Sequence, residues 1–417
     1  MPLSRTAALL LYFLRPEAGK TGCPGLEGLS NSDWEVLIET SGRHGLTPLF
    51  YQRLKAFPPD SPIPDWVRRR LRLLYLQNAG RNMNLYHGLG KVLEVLGKNH
   101  IPVIALKGAH LAELVYGNIA LRPMVDLDLL VKKKDLPGVE EKLLEIGFVP
   151  TAPQKKMTEI HHHVVYRWPE KEINIEVHWD IIGSAYPFNV DIEGQWNRAR
   201  PAVFDGVEIL VQCPEDLLLH LCLHTARDLY QTGLKPLCDL LEIIRRNQDK
   251  MDWDQVFLRS GQWGIGKFVY LTLNLTKELL GAAVPEDLLK TIRPPDFQER
   301  VIDWAREQIF AVRARNSANL FLSPNIAQLW GNERLQGKAS LFLKRTFPSP
   351  EEMVKLYPSA SGSVWIYFYY LVRLKDILQR HSRQVWRLLR RDEALKALAK
   401  QENNFTSLKE WLGWSEE

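Results

Sequence analysis

The apolar positions of this chain change period twice, and the changes divide it. Over residues 1–97 they recur at helical spacing, as in Asp33-Trp-Glu-Val-Leu-Ile-Glu39 and from Trp66 to Leu96. Between 98 and 212 short apolar runs alternate with helical stretches. Ile101-Pro-Val-Ile-Ala-Leu106 is apolar and β-branched, which predicts a central strand, and the run breaks at Lys107-Gly108. A helix is expected over 109–116, a strand over 126–131 and a helix over Leu136–Ile146. The segment opening at His161 should pair with Ile173–Trp179 across a turn near Glu170-Lys171, and Glu208-Ile-Leu-Val-Gln212 reads as a further strand. From Pro214 the pattern is helical again, with Pro-Glu-Asp a favourable helix start. Pro348–Glu352 and Ser359–Ser363 read as loops that divide a C-terminal helical region. The expectation is an α+β fold with a small mixed sheet: an N-terminal helical region 1–97, a catalytic domain 98–212 and a C-terminal helical region 213–417.

The candidate chemistry lies in the second region. Asp126 and Asp128, at i and i+2 on a strand, project from one face while Leu127 and Leu129 point to the other. Two carboxylates held together at a sheet edge repel unless a cation lies between them, which points to Mg²⁺ or Mn²⁺. Upstream, the glycine of Lys107-Gly108 lets backbone approach a ligand closely, and free N–H groups at the following helix start favour a phosphate. Lys107 adds a point charge. Arg122, four residues before Asp126, suits either a phosphate contact or a structural ion pair. In Glu172-Ile-Asn-Ile-Glu-Val-His-Trp-Asp180 the alternation puts Glu176, His178 and Asp180 on one strand face, which serves equally as a third-carboxylate site or as a solvated face. His220, His224 and Asp228 form one helix row, and Asp239 follows in the next helix after Lys235-Pro236. On spacing alone these residues read as an interhelical polar network.

Two motifs are decoys. His161-His162-His163 has neither a Cys-x-x-Cys nor a His-Glu-x-x-His beside it, so zinc is not expected and surface histidines are the default. Gly261-Gln-Trp-Gly-Ile-Gly-Lys-Phe268 nearly matches P-loop spacing, but Phe268 stands where a hydroxyl must hold Mg²⁺ and a helix rather than a strand precedes it. The net charge of +5 over 417 residues is too weak to argue for a nucleic-acid partner. The basic runs Arg68–Arg72 and Arg380–Arg391 read as polar faces of amphipathic helices. Cys23, Cys213, Cys222 and Cys238 show no paired spacing, and the apolar run Ala7–Leu14 is too short to span a bilayer. A cytoplasmic protein is expected.

Leu106-Lys107-Gly108, Tyr116-Gly117, Arg122, Asp126-Leu-Asp128-Leu-Leu-Val131 and Ile175-Glu-Val-His-Trp179 together resemble the uncharacterised nucleotidyltransferase family of the DNA polymerase β-like superfamily, over about residues 30 to 290. The resemblance implies two divalent metals held by three carboxylates and transfer of a nucleoside monophosphate from an NTP to an acceptor, here an unidentified small molecule, peptide or protein. It places Asp126 and Asp128 as the first two carboxylates and favours Glu176 over Asp180 as the third. It also implies that His224, Lys235 and Asp239 join Lys107, Gly108 and Arg122 around the nucleotide or its acceptor. One departure is the Lys107-Gly108 pair, where the superfamily has Gly-Gly or Gly-Ser, so no serine hydroxyl reaches the triphosphate. That leaves room for another nucleotide-linked donor, such as a nucleotide sugar acting on a phosphorylated acceptor, or for a nucleotide-binding scaffold without turnover.

Overall fold

Three helices open the chain, Arg5–Leu14 (α1), Asn31–Arg43 (α2) and Thr47–Leu54 (α3), before a 34-residue helix, Asp65–Lys98 (α4). The start of α2 is fixed by a capping box: Asp33 N–H donates to Ser30 Oγ at 3.2 Å, and Ser30 N–H donates to Asp33 Oδ2 at 2.9 Å. This computed structural model describes residues 3–16, 26, 28–58, 60–152, 161–183, 186–204, 206–311, 353, 368–370, 375 and 393–414. The loops expected at 348–352 and 359–363, the basic run Arg380–Arg391 and Cys23 lie outside the described residues.

A seven-stranded mixed sheet follows α4. Its strands are Ile104–Ala105 (β1), Leu127–Leu130 (β2), Val149–Pro150 (β3), His163–Trp168 (β4), Ile173–His178 (β5), Arg200–Phe204 (β6) and Val207–Val211 (β7), in the order β3-β4-β5-β2-β1-β7-β6. The pairs β5–β2 and β1–β7 are parallel, and the other neighbours are antiparallel. The hairpin expected between the His161 segment and Ile173–Trp179 is present as β4–β5. β3 and β6 carried no signal of their own. One is two residues long, and the other contains Pro201, which suits only an edge strand, the position β6 occupies.

One face of the sheet is apolar. Leu127, Leu129, Val164, Tyr166, Ile173, Ile175 and Val177 point into a core closed by Leu85, Leu89, Val92 and Leu96 of α4, and by Val139 and Leu143 of Leu136–Glu145 (α6). Full burial of each aliphatic side chain there is worth ~1.5–3 kcal/mol. Gly88 sets how closely the long helix approaches: a Cβ there would lie 2.7 Å from Ile173 Cδ1. The opposite face of β2 and β5 carries the polar residues.

From Pro214 to Ile292 the chain is helical, as the sequence pattern predicts: Pro214–Arg227 (α8), Lys235–Arg246 (α9), Trp253–Gln262 (α10), Gly266–Leu280 (α11) and Glu286–Ile292 (α12), with Ile192–Arg198 (α7) inserted before β6. The acidic first turn of α8 is anchored at buried Asp216, which accepts from Arg198 Nε and from Arg259 Nη1, each at 2.9 Å. Gly261 lies within α10, as the rejection of the P-loop requires. Residues Met1–Ile302 form one compact unit and Asp303–Glu417 a second. The helix Glu393–Trp411 belongs to the second unit. No helix among the described residues is long and apolar enough to cross a membrane.

Candidate active site

Register brings the carboxylates together. β2 runs parallel to β5 with Asp128 opposite Glu176 and Leu130 opposite His178, so these polar residues share the face away from the core. The strand begins at Leu127, which leaves Asp126 at its mouth, partly exposed. Asp128 is buried. Asp128, Glu176 and His178 each offer a ligand atom within 4.8 Å of the others'. His178 Nε2 lies 3.1 Å from Asp128 Oδ1 and 3.3 Å from Glu176 Oε2, a bridge between the two acids. Asp180 is turned elsewhere, accepting from the backbone N–H of Ile182 at 3.2 Å.

The electrostatics follow from that crowding. Burial works against ionising Asp128, but Lys107 and the hydrogen bond from His178 outweigh it and hold the carboxyl well below its usual range. Glu176 is lowered chiefly by its hydrogen bond to His178. Asp126 goes the other way: burial and then the charges of Asp128 and Glu176 push it up to about 6, against the pull of Lys107 and Lys235. Negative charge at the mouth of β2 is therefore incompletely neutralised by the protein, and an oxygen-rich set of this kind fits a divalent cation.

Cations surround the acids. Lys107 opens the short helix Lys107–His110 (α5), two residues earlier than the sequence pattern predicts, with a left-handed φ of 25°. Its Nζ lies 3.5 Å from Asp128 Oδ1. Gly108 comes next, where a Cβ would meet Met124 Sδ at 3.1 Å and Arg122 Nη1 at 3.5 Å. α5 runs into a π-helical turn, Leu111–Val115, that ends at Tyr116. From α9, Lys235 reaches the same region: burial lowers its pKa, while Asp239, Asp126 and Asp128 raise it.

Arg122 and Asp239 bind each other. Arg122 Nε and Nη2 donate to Asp239 Oδ1 and Oδ2 at 2.9 Å each, in a buried bidentate pair, and Tyr116 Oη donates to the same Oδ1 at 2.9 Å. Asn82 of α4 donates to the Arg122 carbonyl at 2.8 Å, and Asn78 donates to that of Ala120 at 2.8 Å. A scaffold of asparagines thus fixes the segment carrying Arg122, which sequence patterning gave no reason to expect. His224 lies 3.4 Å from Asp228 Oδ2, with its pKa held well below the ordinary value by burial and by Lys107. His178 was legible only as a neighbour on the Glu176 face; two-residue spacing is the signal that ties it to the site.

Comparison with known proteins bears on this arrangement. No curated protein sequence matches the chain. The solution structure of the antibiotic-resistance factor ANT(2'')-Ia is similar with a TM-score of 0.32 and 11% identity, over 44% of this chain and 91% of that one. The profile of the uncharacterised nucleotidyltransferase family matches residues 30–281, well over half the chain and all of the sheet. The chain belongs to that family, and nucleotidyl transfer is its activity.

Proposed function

We propose that this enzyme moves a nucleoside monophosphate from an NTP to a small-molecule, peptide or protein acceptor, with Mg²⁺ or Mn²⁺ held by Asp126, Asp128 and Glu176. The observation that carries the reading is the parallel register that sets Asp128 opposite Glu176, with Asp126 one residue ahead of the strand and under the charge of both. When bound, the cation neutralises charge developing on the phosphoryl oxygens during in-line displacement at the α-phosphorus, and pyrophosphate leaves. The protein's own part is to position and to balance charge. Lys107 and Lys235 bring positive charge to the polyphosphate, and the backbone at Gly108 lets it approach. Arg122 braces Asp239 through two nitrogens while Nη1 faces the Gly108 turn. His224 and Asp239 complete the wall on the α8–α9 side, where an acceptor would lie against the sheet. The functional division keeps residues 98–212 as the catalytic part between helical regions. A reducing cytoplasm suits Cys213, Cys222 and Cys238, all buried free thiols.

Calorimetric titration of each NTP in excess Mg²⁺ tests the reading, with wild type and Asp126→Asn/Asp128→Asn compared. Wild type should bind at least one NTP, and the double variant at least tenfold more weakly. Equal binding by both proteins would remove the two aspartates from the nucleotide site, and failure of either protein to bind any NTP, or release of a nucleoside diphosphate instead of pyrophosphate once an acceptor is found, would overturn the reading in favour of another nucleotide-linked donor or a scaffold.

A further inference from the structure

A second cluster adjoins the carboxylates and is built of nitrogen rather than oxygen. The antiparallel register of β4 and β5 sets His163 directly across from His178. His162, just ahead of β4, brings its ring onto both neighbours. The ring centroids lie 4.8 Å apart for His162–His163, 4.9 Å for His163–His178 and 5.6 Å for His162–His178. One ring nitrogen from each residue lies within 4.8 Å of those of the other two. No local spacing announces the cluster, because two of its residues are adjacent and the third arrives only through strand pairing.

Two further observations point to a ligand. Nδ1 of His163 and Nδ1 of His178 are buried and have no hydrogen-bond partner among the described residues. A polar atom buried without a partner destabilises the fold, and a bound ion removes that cost. The tautomer of His178 is set from its other side, where Nε2 faces Asp128 Oδ1 at 3.1 Å and Glu176 Oε2 at 3.3 Å. Burial opposes charge on His178, but its hydrogen bonds to Asp128 and Glu176 raise its pKa, so a cation that binds at Nδ1 displaces a proton there. A carboxylate behind an imidazole is the usual support for a metal-ligating histidine. Burial pushes His162 down to about 3, with His178 and His163 adding to it, and burial and then His178 lower His163, so those two rings are neutral.

We propose that His162, His163 and His178 form a binding site for a transition-metal cation of the zinc class, distinct from the oxygen site that takes Mg²⁺. Imidazole suits Zn²⁺, Co²⁺, Ni²⁺ and Cu²⁺, whereas Mg²⁺ takes oxygen. Zn–N bonds of ~2.0–2.1 Å place ligand nitrogens about 3.3 Å apart, so the cluster must contract. His162 and His163, both half-buried, turn inward to do so, while His178 stays fixed by its two carboxylates. The fourth position stays open, and the site shares His178 with the carboxylate set.

The test uses the full chain stripped with a chelator and titrated with Zn²⁺ in excess Mg²⁺. One Zn²⁺ per chain should bind with a Kd in the micromolar range or tighter. His162→Gln/His163→Gln should lose at least tenfold in affinity, and Asp126→Asn, which leaves the imidazoles alone, should retain it. Unchanged Zn²⁺ affinity in the histidine variant, or displacement of Zn²⁺ by Mg²⁺, would assign the ion to the carboxylates and overturn the proposal. A second readout needs no variant: Cu²⁺ bound to wild type should show imidazole-nitrogen couplings in its electron spin echo spectrum. A spectrum with oxygen ligands alone, or no stoichiometric binding by wild type, overturns the proposal as well. Both readouts are independent of turnover, so failure here leaves the nucleotidyl-transfer reading standing.

Discussion

Arg122 shows how a single residue can read correctly and still be placed only by the fold. Its spacing from Asp126 suggested a phosphate or an ion pair, and the sequence offered no means of choosing. The structure supplies a partner 117 residues away, Asp239. Removing one member of a buried bidentate pair leaves the other charge uncompensated, at a cost of ~3–5 kcal/mol. Arg122→Ala should therefore melt well below wild type, and Arg122→Ala/Asp239→Ala should recover part of the loss, which thermal denaturation of both variants would reveal. A single variant no less stable than the double would show that the pair is not coupled. Asp126 and Asp128 were legible because both lie in one short strand signal, and Glu176 because alternation fixes its face. What no local pattern states is that Asp128 and Glu176 are cross-strand partners. That fact belongs to register, which the chain sets through its whole apolar face.

At the scale of elements, α4 was the clearest signal and also the one with the most hidden detail. Its apolar periodicity from Trp66 to Leu96 matches the helix Asp65–Lys98. Its polar interior positions carry a second message: Asn78 and Asn82, both buried, hold the backbone of the loop before β2. Gly88 would pass for a helix weakness, yet it faces Ile173 at a distance that admits no larger side chain without adjustment. Gly88→Leu should cost ~1–3 kcal/mol through overpacking, despite leucine's better helix propensity. Urea denaturation would measure it, and a variant as stable as wild type would mean the sheet yields to the helix freely. The β1 and β2 strands are shorter than their apolar runs suggest because pairing, not hydrophobicity, ends a strand.

Over the whole of the first unit, buried histidines set the response to acid. His44, whose Nδ1 accepts the Leu234 N–H at 3.3 Å, is lowered to about 4 by burial and then by Arg43; His110 is lowered to about 4 by burial. His220 lies well below its ordinary value for the same reason. Each is neutral in the fold and takes a proton near pH 6.5 when unfolded, so the unfolded state binds more protons as pH falls. Stability should therefore drop between about pH 6.5 and 4, by about 2 kcal/mol at pH 5 for His44 alone. Asp128 and Glu176, held low by their partners, add to the loss at still lower pH. Denaturant titrations at pH 7 and pH 5 check the sign, and a flat profile would refute neutral burial. His44→Gln should flatten the slope by roughly one proton. Composition and charge gave the class of molecule and offered no argument for a nucleic-acid partner; they carried nothing about which ionisable groups the core would hold without charge.

The parallel pairing of β2 with β5 has a further consequence, in time rather than space. Asp128 and Glu176 are separated by 48 residues of chain, and parallel pairing across such a span is slow compared with closing the β4–β5 hairpin. During synthesis and refolding the acids therefore travel apart, each solvated, and meet only when the sheet closes. Their mutual repulsion burdens no earlier stage, and a chain that fails to close the sheet offers a cation nothing to bind. The metal-dependent nucleotide binding proposed above would thus report on completed folding, because Asp128 and Glu176 face each other only in molecules whose sheet has assembled.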